Sequence, residues 1–214
     1  MEKFSCIIFD FDGTLADTAA GILATVKETF RRLGFPGAED ERIKPTIGLV
    51  LEQSLQRIGG LSESQTAEAA ALYRDIFPFY GEAASSLFPE VSDTLRELHS
   101  RGMRMAIATS RGRDSLEAIM RPYGISDCFE QMVTSTDRLA PKPAPDMVLS
   151  LLARMKQPAG STLVVGDTVY DLRMGSGAGC RTCGVTYGNQ TETQLAAASP
   201  DYMIGSFAEI LKIV

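Results

Sequence analysis

The strongest constraint on the fold is a rhythm of short, almost uninterrupted apolar runs alternating with segments of helical period. Candidate strands lie at 5–9, 103–108, 131–134, 162–165, 181–185 and 202–204. Between them apolar residues recur three and four apart, as at Val91, Leu95 and Leu98 or at Met147, Leu151 and Leu152. That is the spacing of one helix face. Gly102 and Gly124 stand where such helices would stop. A strand such as Cys6-Ile7-Ile8-Phe9 has no polar side, which suits a parallel sheet covered on both faces. The alternation predicts a doubly wound, Rossmann-like α/β core. In such cores ligands bind beyond the carboxyl ends of the strands.

One interval breaks the rhythm. Residues 17–85 offer helical patterns and no convincing strand. Ile22, Leu23, Val26, Phe30 and Leu33 trace one amphipathic helix, ended by Gly34, and Leu51, Leu55 and Ile58 trace a second. Ser62-Glu63-Ser64-Gln65 reads as the capping box of a third. That helix should end at Phe77, because Pro78 cannot continue it. The stretch is far longer than an ordinary crossover. It reads as a small all-helical domain, 17–85, inserted into an α/β core of 1–16 and 86–214.

Composition narrows the classes. The chain has 214 residues, 44% hydrophobic and 22% charged, an ordinary soluble balance. No apolar run approaches the roughly 20 residues of a membrane span. Residues 1–8 read as the opening of the first strand rather than as a signal peptide, so a cytoplasmic location is expected, with no membrane partner. The net charge is −6 and Lys and Arg are not clustered, which argues against a nucleic-acid surface. An acidic chain that binds an anion needs a local cation, and that points to a metal. Of the four cysteines, Cys180 and Cys183 form a C-x-x-C pair, but no second pair or His cluster completes a zinc site. Packing in a buried strand is the expectation for them. The lone His99 belongs on the surface near a helix end.

Four segments carry candidate chemistry. In Phe9-Asp10-Phe11-Asp12-Gly13-Thr14-Leu15, two carboxylates two apart at a strand end point to one side. Like charges so close need a cation or a shared proton, although acids also occur at ordinary strand-end turns. Met105-Ala106-Ile107-Ala108-Thr109-Ser110 places hydroxyls at a strand's carboxyl end, where helix capping is the usual role. Pro141-Lys142-Pro143 favours an extended presentation of one ammonium, or a rigid surface loop. Val164-Val165-Gly166-Asp167-Thr168-Val169-Tyr170-Asp171 supplies two acids after an apolar strand. Oxygen-only, carboxylate-rich positions suit a hard cation such as Mg²⁺, while acids also favour helix N-termini. All four segments fall, in order, at the ends of predicted strands.

Here the residues carry a resemblance. The pattern D-x-D-G-T-L-x-D-T at 10–18, Thr109, Lys142 in P-K-P-x-P-D and G-D-x-x-x-D at 166–171 resemble haloacid dehalogenase-superfamily phosphatases with a small helical cap. Val185-Thr186-Tyr187-Gly188 and Pro200-Asp201-Tyr202 are similar to the phosphoglycolate phosphatase-like branch. The resemblance implies a Mg²⁺-dependent phosphatase with Asp10 as nucleophile and an aspartyl-phosphate intermediate. It implies Asp12 as general acid and base, Thr109 and Ser110 on the phosphoryl oxygens, and Lys142 neutralising charge. It implies Asp10, Asp167, Asp171 and the Asp12 backbone carbonyl around the metal, with Asp171 a ligand through water or an orienter. By the same resemblance, Asp12 favours phosphate esters or anhydrides over carbon–halogen bonds, since a halide needs no proton. Thr46-Ile47-Gly48-Leu49-Val50 resembles a specificity loop, so Thr46 and Gly48 are candidate substrate contacts, or else a plain interhelix turn. Arg111 either reaches a substrate carboxylate or second phosphate, or is a solvated arginine at a helix start. The implied partner is a small phosphorylated metabolite, with 2-phosphoglycolate leading, for a monomer or weak homodimer. Pyrophosphate hydrolysis, phosphosugar mutase chemistry and a non-catalytic sensor remain alternatives on the same core.

Overall fold

The computed structural model describes residues 4–214, so the expected contribution of Met1, Glu2 and Lys3 to the first strand lies outside the described residues. Strand β1 (Cys6–Phe9) leads through a two-residue strand, β2 (Ala16–Asp17), into helices α1 (Ala19–Leu33), α2 (Asp40–Ile43), α3 (Leu51–Gly59) and α4 (Glu63–Tyr80). A second short strand, β3 (Ser86–Leu87), brings the chain back. Then α5 (Val91–Ser100), β4 (Arg104–Ala108), α6 (Arg113–Met120), β5 (Gln131–Val133) and α7 (Asp146–Met155) alternate. They are followed by β6 (Thr162–Gly166), α8 (Val169–Gly177), β7 (Arg181–Val185), α9 (Glu192–Ala196) and β8 (Tyr202–Ile204).

The main sheet has six parallel strands in the order β5-β4-β1-β6-β7-β8. It is the doubly wound arrangement, and the winding reverses between β1 and β6, where such sheets open a ligand crevice. Strand β1 is central because it is apolar on both sides. Ile7 and Phe9 join the layer holding Leu95 and Leu116, whereas Cys6 and Ile8 join the layer holding Met147 and Leu151. A third apolar cluster, with Val26, Phe30, Ile43 and Leu55, belongs wholly to the segment between β2 and β3.

Three local expectations need correction. The segment 17–85, expected to lack strands, is bracketed by an antiparallel pair that takes in its first residue, with Ala16 opposite Leu87 and Asp17 opposite Ser86. Two residues are too short to show a period-two signal. Helix α4 continues past Pro78 to Tyr80, with the Gly81 N–H closing on the Phe77 carbonyl at 2.7 Å. In the last turn a proline removes one ladder bond without removing the turn. The short helix α2 and the tight turn Lys44–Thr46 were also not anticipated, and they fill the gap between α1 and α3.

Other expectations are met. Ser62 accepts from the Gln65 N–H at 3.3 Å and the Ser62 N–H donates to Gln65 Oε1 at 3.0 Å. All four cysteines are free and buried, and burial pushes the Cys180 and Cys183 thiols up to about 12, far from the thiolate that redox chemistry needs. His99 is exposed. Among the described residues no helix is long and apolar enough to cross a membrane.

Phe9 is fully buried and its ring meets Phe207 at 5.6 Å. Phe9→Ala is expected to lower the free energy of unfolding by about 3–5 kcal/mol. Leu149→Ala, at a side chain 47% exposed, should stay within about 0.5 kcal/mol of the parent. Urea denaturation of the two variants checks the contrast.

Candidate active site

Asp10 is the first residue after β1, and its N–H donates to the Val165 carbonyl at 2.9 Å, which aligns it with the end of β6. The chain then turns tightly. The Thr14, Leu15 and Ala16 N–H groups all converge on the Phe11 carbonyl, and the Gly13 N–H donates to the Ala16 carbonyl at 2.8 Å. Gly13 has φ +87°, and a Cβ there would lie 2.1 Å from Asp167 Oδ2. Gly166 is needed for a similar reason, since its Cβ would meet that of Asp171 at 2.2 Å. These two glycines let the β1 and β6 loops come close enough for their acids to share one space.

In that space lies a buried ionic cluster. Lys142 Nζ donates to Asp10 Oδ1 at 2.5 Å and to Asp171 Oδ1 at 2.6 Å, and its side chain has no exposed surface. Lys142 is therefore in no surface loop. Nor is its backbone extended: residues 141–144 form a turn closed by the Ala144 N–H on the Pro141 carbonyl at 3.0 Å, across a cis Lys142–Pro143 peptide. Asp171 is the third residue of α8, and its Oδ2 accepts from the Thr168 N–H at 3.0 Å and the Thr168 hydroxyl at 2.6 Å. Asp167 Oδ2 accepts from the backbone and side-chain N–H of Asn189, both at 2.8 Å. The Thr14 hydroxyl donates to Asp167 Oδ1 at 3.3 Å.

Carboxylate oxygens of Asp10, Asp167 and Asp171 lie within 4.8 Å of one another, all buried. Three carboxylates against one ammonium leave an excess of two negative charges. Asp10 Oδ2 is buried and has no hydrogen-bond partner, an expensive state for a carboxylate oxygen. Burial raises the Asp10 carboxyl well above its usual range, and Asp171, Asp167 and Asp12 add to the rise against the pull of Lys142. Burial, with Asp171 next, carries Asp167 up to about 7, while the Asn189 N–H groups hold it down. Burial alone would favour a neutral Lys142, but Asp10 and Asp171 keep its ammonium above the usual lysine range. The charge excess, the hard oxygen donors and the orphaned Oδ2 fit a divalent cation. The Asp12 carboxylate is not part of this cluster; of Asp12, only the backbone carbonyl was expected at the metal.

Asp12 has a different set of partners. Arg111 forks onto it, with Nη2 to Oδ1 at 2.5 Å and Nε to both oxygens at 3.1 Å, and the Thr18 hydroxyl donates to Oδ1 at 2.6 Å. The Arg111 side chain is 7% exposed, so the solvated helix-start reading is wrong. Its guanidinium also lies 4.6 Å from the Phe77 ring centre. Thr109 is fully buried and accepts from the Arg111 N–H at 3.1 Å, which leaves its own proton free to give. It does not cap α6, whose N-cap Gly112 has no side-chain bond. Ser110 donates to the Gly48 carbonyl at 2.7 Å, and the Thr46 hydroxyl to the Ile43 carbonyl at 2.7 Å. Asp10, Asp12, Thr46, Gly48, Thr109, Ser110 and Arg111 thus line one cavity of about 390 Å³, while Lys142, Asp167 and Asp171 lie outside its lining.

Sequence reasoning assigned no role to Thr18, Asn189 or Thr168. Thr18 closes the pattern D-x-D-G-T-L-x-D-T and Thr168 lies inside G-D-x-x-x-D, so both are visible as letters. Asn189 had no such signal.

The pH linkage has a definite sign. Between about 4 and 7 the folded chain holds a proton on Asp167 that the unfolded chain has released, so stability falls as pH rises. The metal-free protein should melt lower at about pH 8 than at about pH 5, and excess Mg²⁺ should raise the melting temperature more at the higher pH. Asp167→Asn should weaken the pH trend and remove the Mg²⁺ response. Thermal scans across pH, with chelator and with Mg²⁺, test this.

Residues 7–185 match the family model described as haloacid dehalogenase-like hydrolase. The chain is 35% identical over 210 residues to "Probable phosphatase IndB" of Dickeya dadantii, covering 96% of this chain and 91% of that protein. It is 30% identical over 221 residues to the phosphoglycolate phosphatase of Vibrio vulnificus, covering 100% and 97%. A solved haloacid dehalogenase-like family hydrolase from Streptococcus pneumoniae superposes with a TM-score of 0.86 at 27% identity, over 100% of this chain and 99% of that one. With its parallel sheet and acidic strand ends, the chain belongs to the haloacid dehalogenase-like hydrolases.

Proposed function

We propose that the protein is a Mg²⁺-dependent phosphatase that hydrolyses a small phosphomonoester through a phosphate transiently bonded to Asp10. The observation that carries this reading is the buried Asp10 carboxylate, one oxygen on Lys142 and the other without a partner. Such a carboxylate keeps lone pairs that no protein donor occupies, as a nucleophile and cation ligand needs. Names of relatives, phosphatase and phosphoglycolate phosphatase among them, support the reaction class and make 2-phosphoglycolate the first ester to assay.

Asp10 attacks phosphorus and the ester oxygen departs. Asp12, entering this step in its protonated form, gives that oxygen its proton, and the carboxylate left behind takes a proton back from the water that releases phosphate. Thr109 donates its free hydroxyl proton to a phosphoryl oxygen, with Ser110 beside it. Lys142 offsets the repulsion between a carboxylate and a phosphate dianion, and Asp171, itself fixed by Thr168, holds Lys142 in place. Asp10, Asp167 and the Asp12 carbonyl would hold Mg²⁺, which when bound would supply further positive charge for the equatorial oxygens. Uncatalysed monoester hydrolysis is so slow that enzymes accelerate it up to about 10²¹-fold, so preorganised charge has to be the main resource.

Residues 17–85 act as a cap domain in this reading. The paired β2 and β3 strands are its two-stranded hinge, and the Gly48 loop and Phe77 press it onto Ser110 and Arg111. Closure keeps water from the phosphorylated Asp10 until the leaving group has gone.

With Mg²⁺ and p-nitrophenyl phosphate, Asp10→Asn should lower kcat by at least about 10⁴-fold. Asp12→Ala should lower it by about 10²–10⁴-fold while still permitting slow phosphorylation of Asp10. Steady-state turnover by Asp10→Asn close to that of the parent would contradict the nucleophile assignment.

A further inference from the structure

The cavity that begins at Asp10 and Asp12 is roomy and its far wall is hydrocarbon. That wall is built by Ile22, Val26, Ile43, Ile47, Leu51 and Phe77. A volume of about 390 Å³ holds roughly a dozen water-sized groups, so glycolate would leave most of it unfilled.

The wall also lacks a cation free to meet a second anionic group. Arg111 has both forks committed, to Asp12 and, through Nη1, to Ser115 at 2.7 Å. Arg74 pairs with Glu52 at the rim, where the two side chains are 57% and 48% exposed. Arg113 is half-exposed and donates to the Met132 carbonyl at 2.9 Å. Two of the wall hydroxyls are engaged, with Thr46 donating to the Ile43 carbonyl and Ser54 to the Thr46 carbonyl at 2.9 Å, while that of Tyr73 offers only a neutral donor. A carboxylate or second phosphate lodged there would be a buried charge without a partner. Hydrocarbon there displaces water from an apolar surface.

We propose that the physiological substrate is a phosphomonoester of an uncharged alcohol with a mainly hydrocarbon body, rather than phosphoglycolate or pyrophosphate. The inference rests on the phosphatase reading and names the substrate class of that same site. Specificity then comes from filling the wall beyond the scissile bond, while Asp10, Lys142 and Thr109 treat every ester alike.

The test is a series of linear alkyl phosphates from ethyl to pentyl, run on the full chain with Mg²⁺ beside 2-phosphoglycolate, pyrophosphate and p-nitrophenyl phosphate. Each added methylene should raise kcat/KM by up to about fourfold, and pentyl phosphate should exceed 2-phosphoglycolate by at least about tenfold. Leu51→Ala, a change at a half-buried wall residue, should flatten the rise. A flat series in the parent protein, or 2-phosphoglycolate or pyrophosphate equal to or better than pentyl phosphate, overturns the inference and leaves the phosphatase reading standing. Hydrolysis of none of these compounds, p-nitrophenyl phosphate included, overturns both.

Discussion

A single ammonium buried between two carboxylates organises this protein. Lys142 has no exposed surface and touches both Asp10 and Asp171. A buried charge of this kind is tolerated only when its partners are fixed, and the fold fixes all three from different elements. Asp10 is held by the end of β1, Asp171 by the first turn of α8, and Lys142 by the turn before α7. Removing any one would leave the other two as buried charges with inadequate pairing. The same arrangement leaves an excess of negative charge and an oxygen of Asp10 with no partner. The interaction that knits the sheet's carboxyl edge together is therefore incomplete by itself and asks for a cation and an anion together.

Asp10 and Asp12, only two residues apart, face different neighbourhoods for a physical reason. The Asp10 side chain looks inward to the ionic cluster. The Asp12 side chain is held by Arg111, from the loop after β4, and by Thr18, just before α1. Two acids of one short motif thus acquire different surroundings from different ends of the chain. The helices carry out a separate task. Their own apolar cluster makes them cohere, and contacts of Gly48 with Ser110 and of Phe77 with Arg111 bring their apolar side over the acids.

The core was largely legible in the sequence because its signals are local. The six parallel strands lie within one residue of the apolar runs, since strands buried on both faces must be continuously apolar. Asp10, Thr109, Lys142 and Asp167 were visible because each follows such a run or sits in a proline-framed turn. What stayed hidden depends on distant pairing. Arg111 meets Asp12 across 99 positions, and a lone arginine before a helix says nothing about that partner. Asn189 completes the Asp167 shell across 22 positions without any motif of its own. The β2–β3 pair is too short for periodicity, and α4 outlasts Pro78 because a proline near a helix end interrupts only one bond. The apolar wall of the cavity was readable as amphipathic helices, but which face would meet the acids was not.

The central claim is that the acids around Lys142 hold a divalent cation at the end of β1 and β6. The most direct measurement is an anomalous difference map from crystals soaked in Mn²⁺. The account predicts one strong peak bridging the carboxylates of Asp10 and Asp167, with Lys142 still on Asp10. A map with no peak there, or with the ion bound only at surface acids such as Glu52, would contradict it.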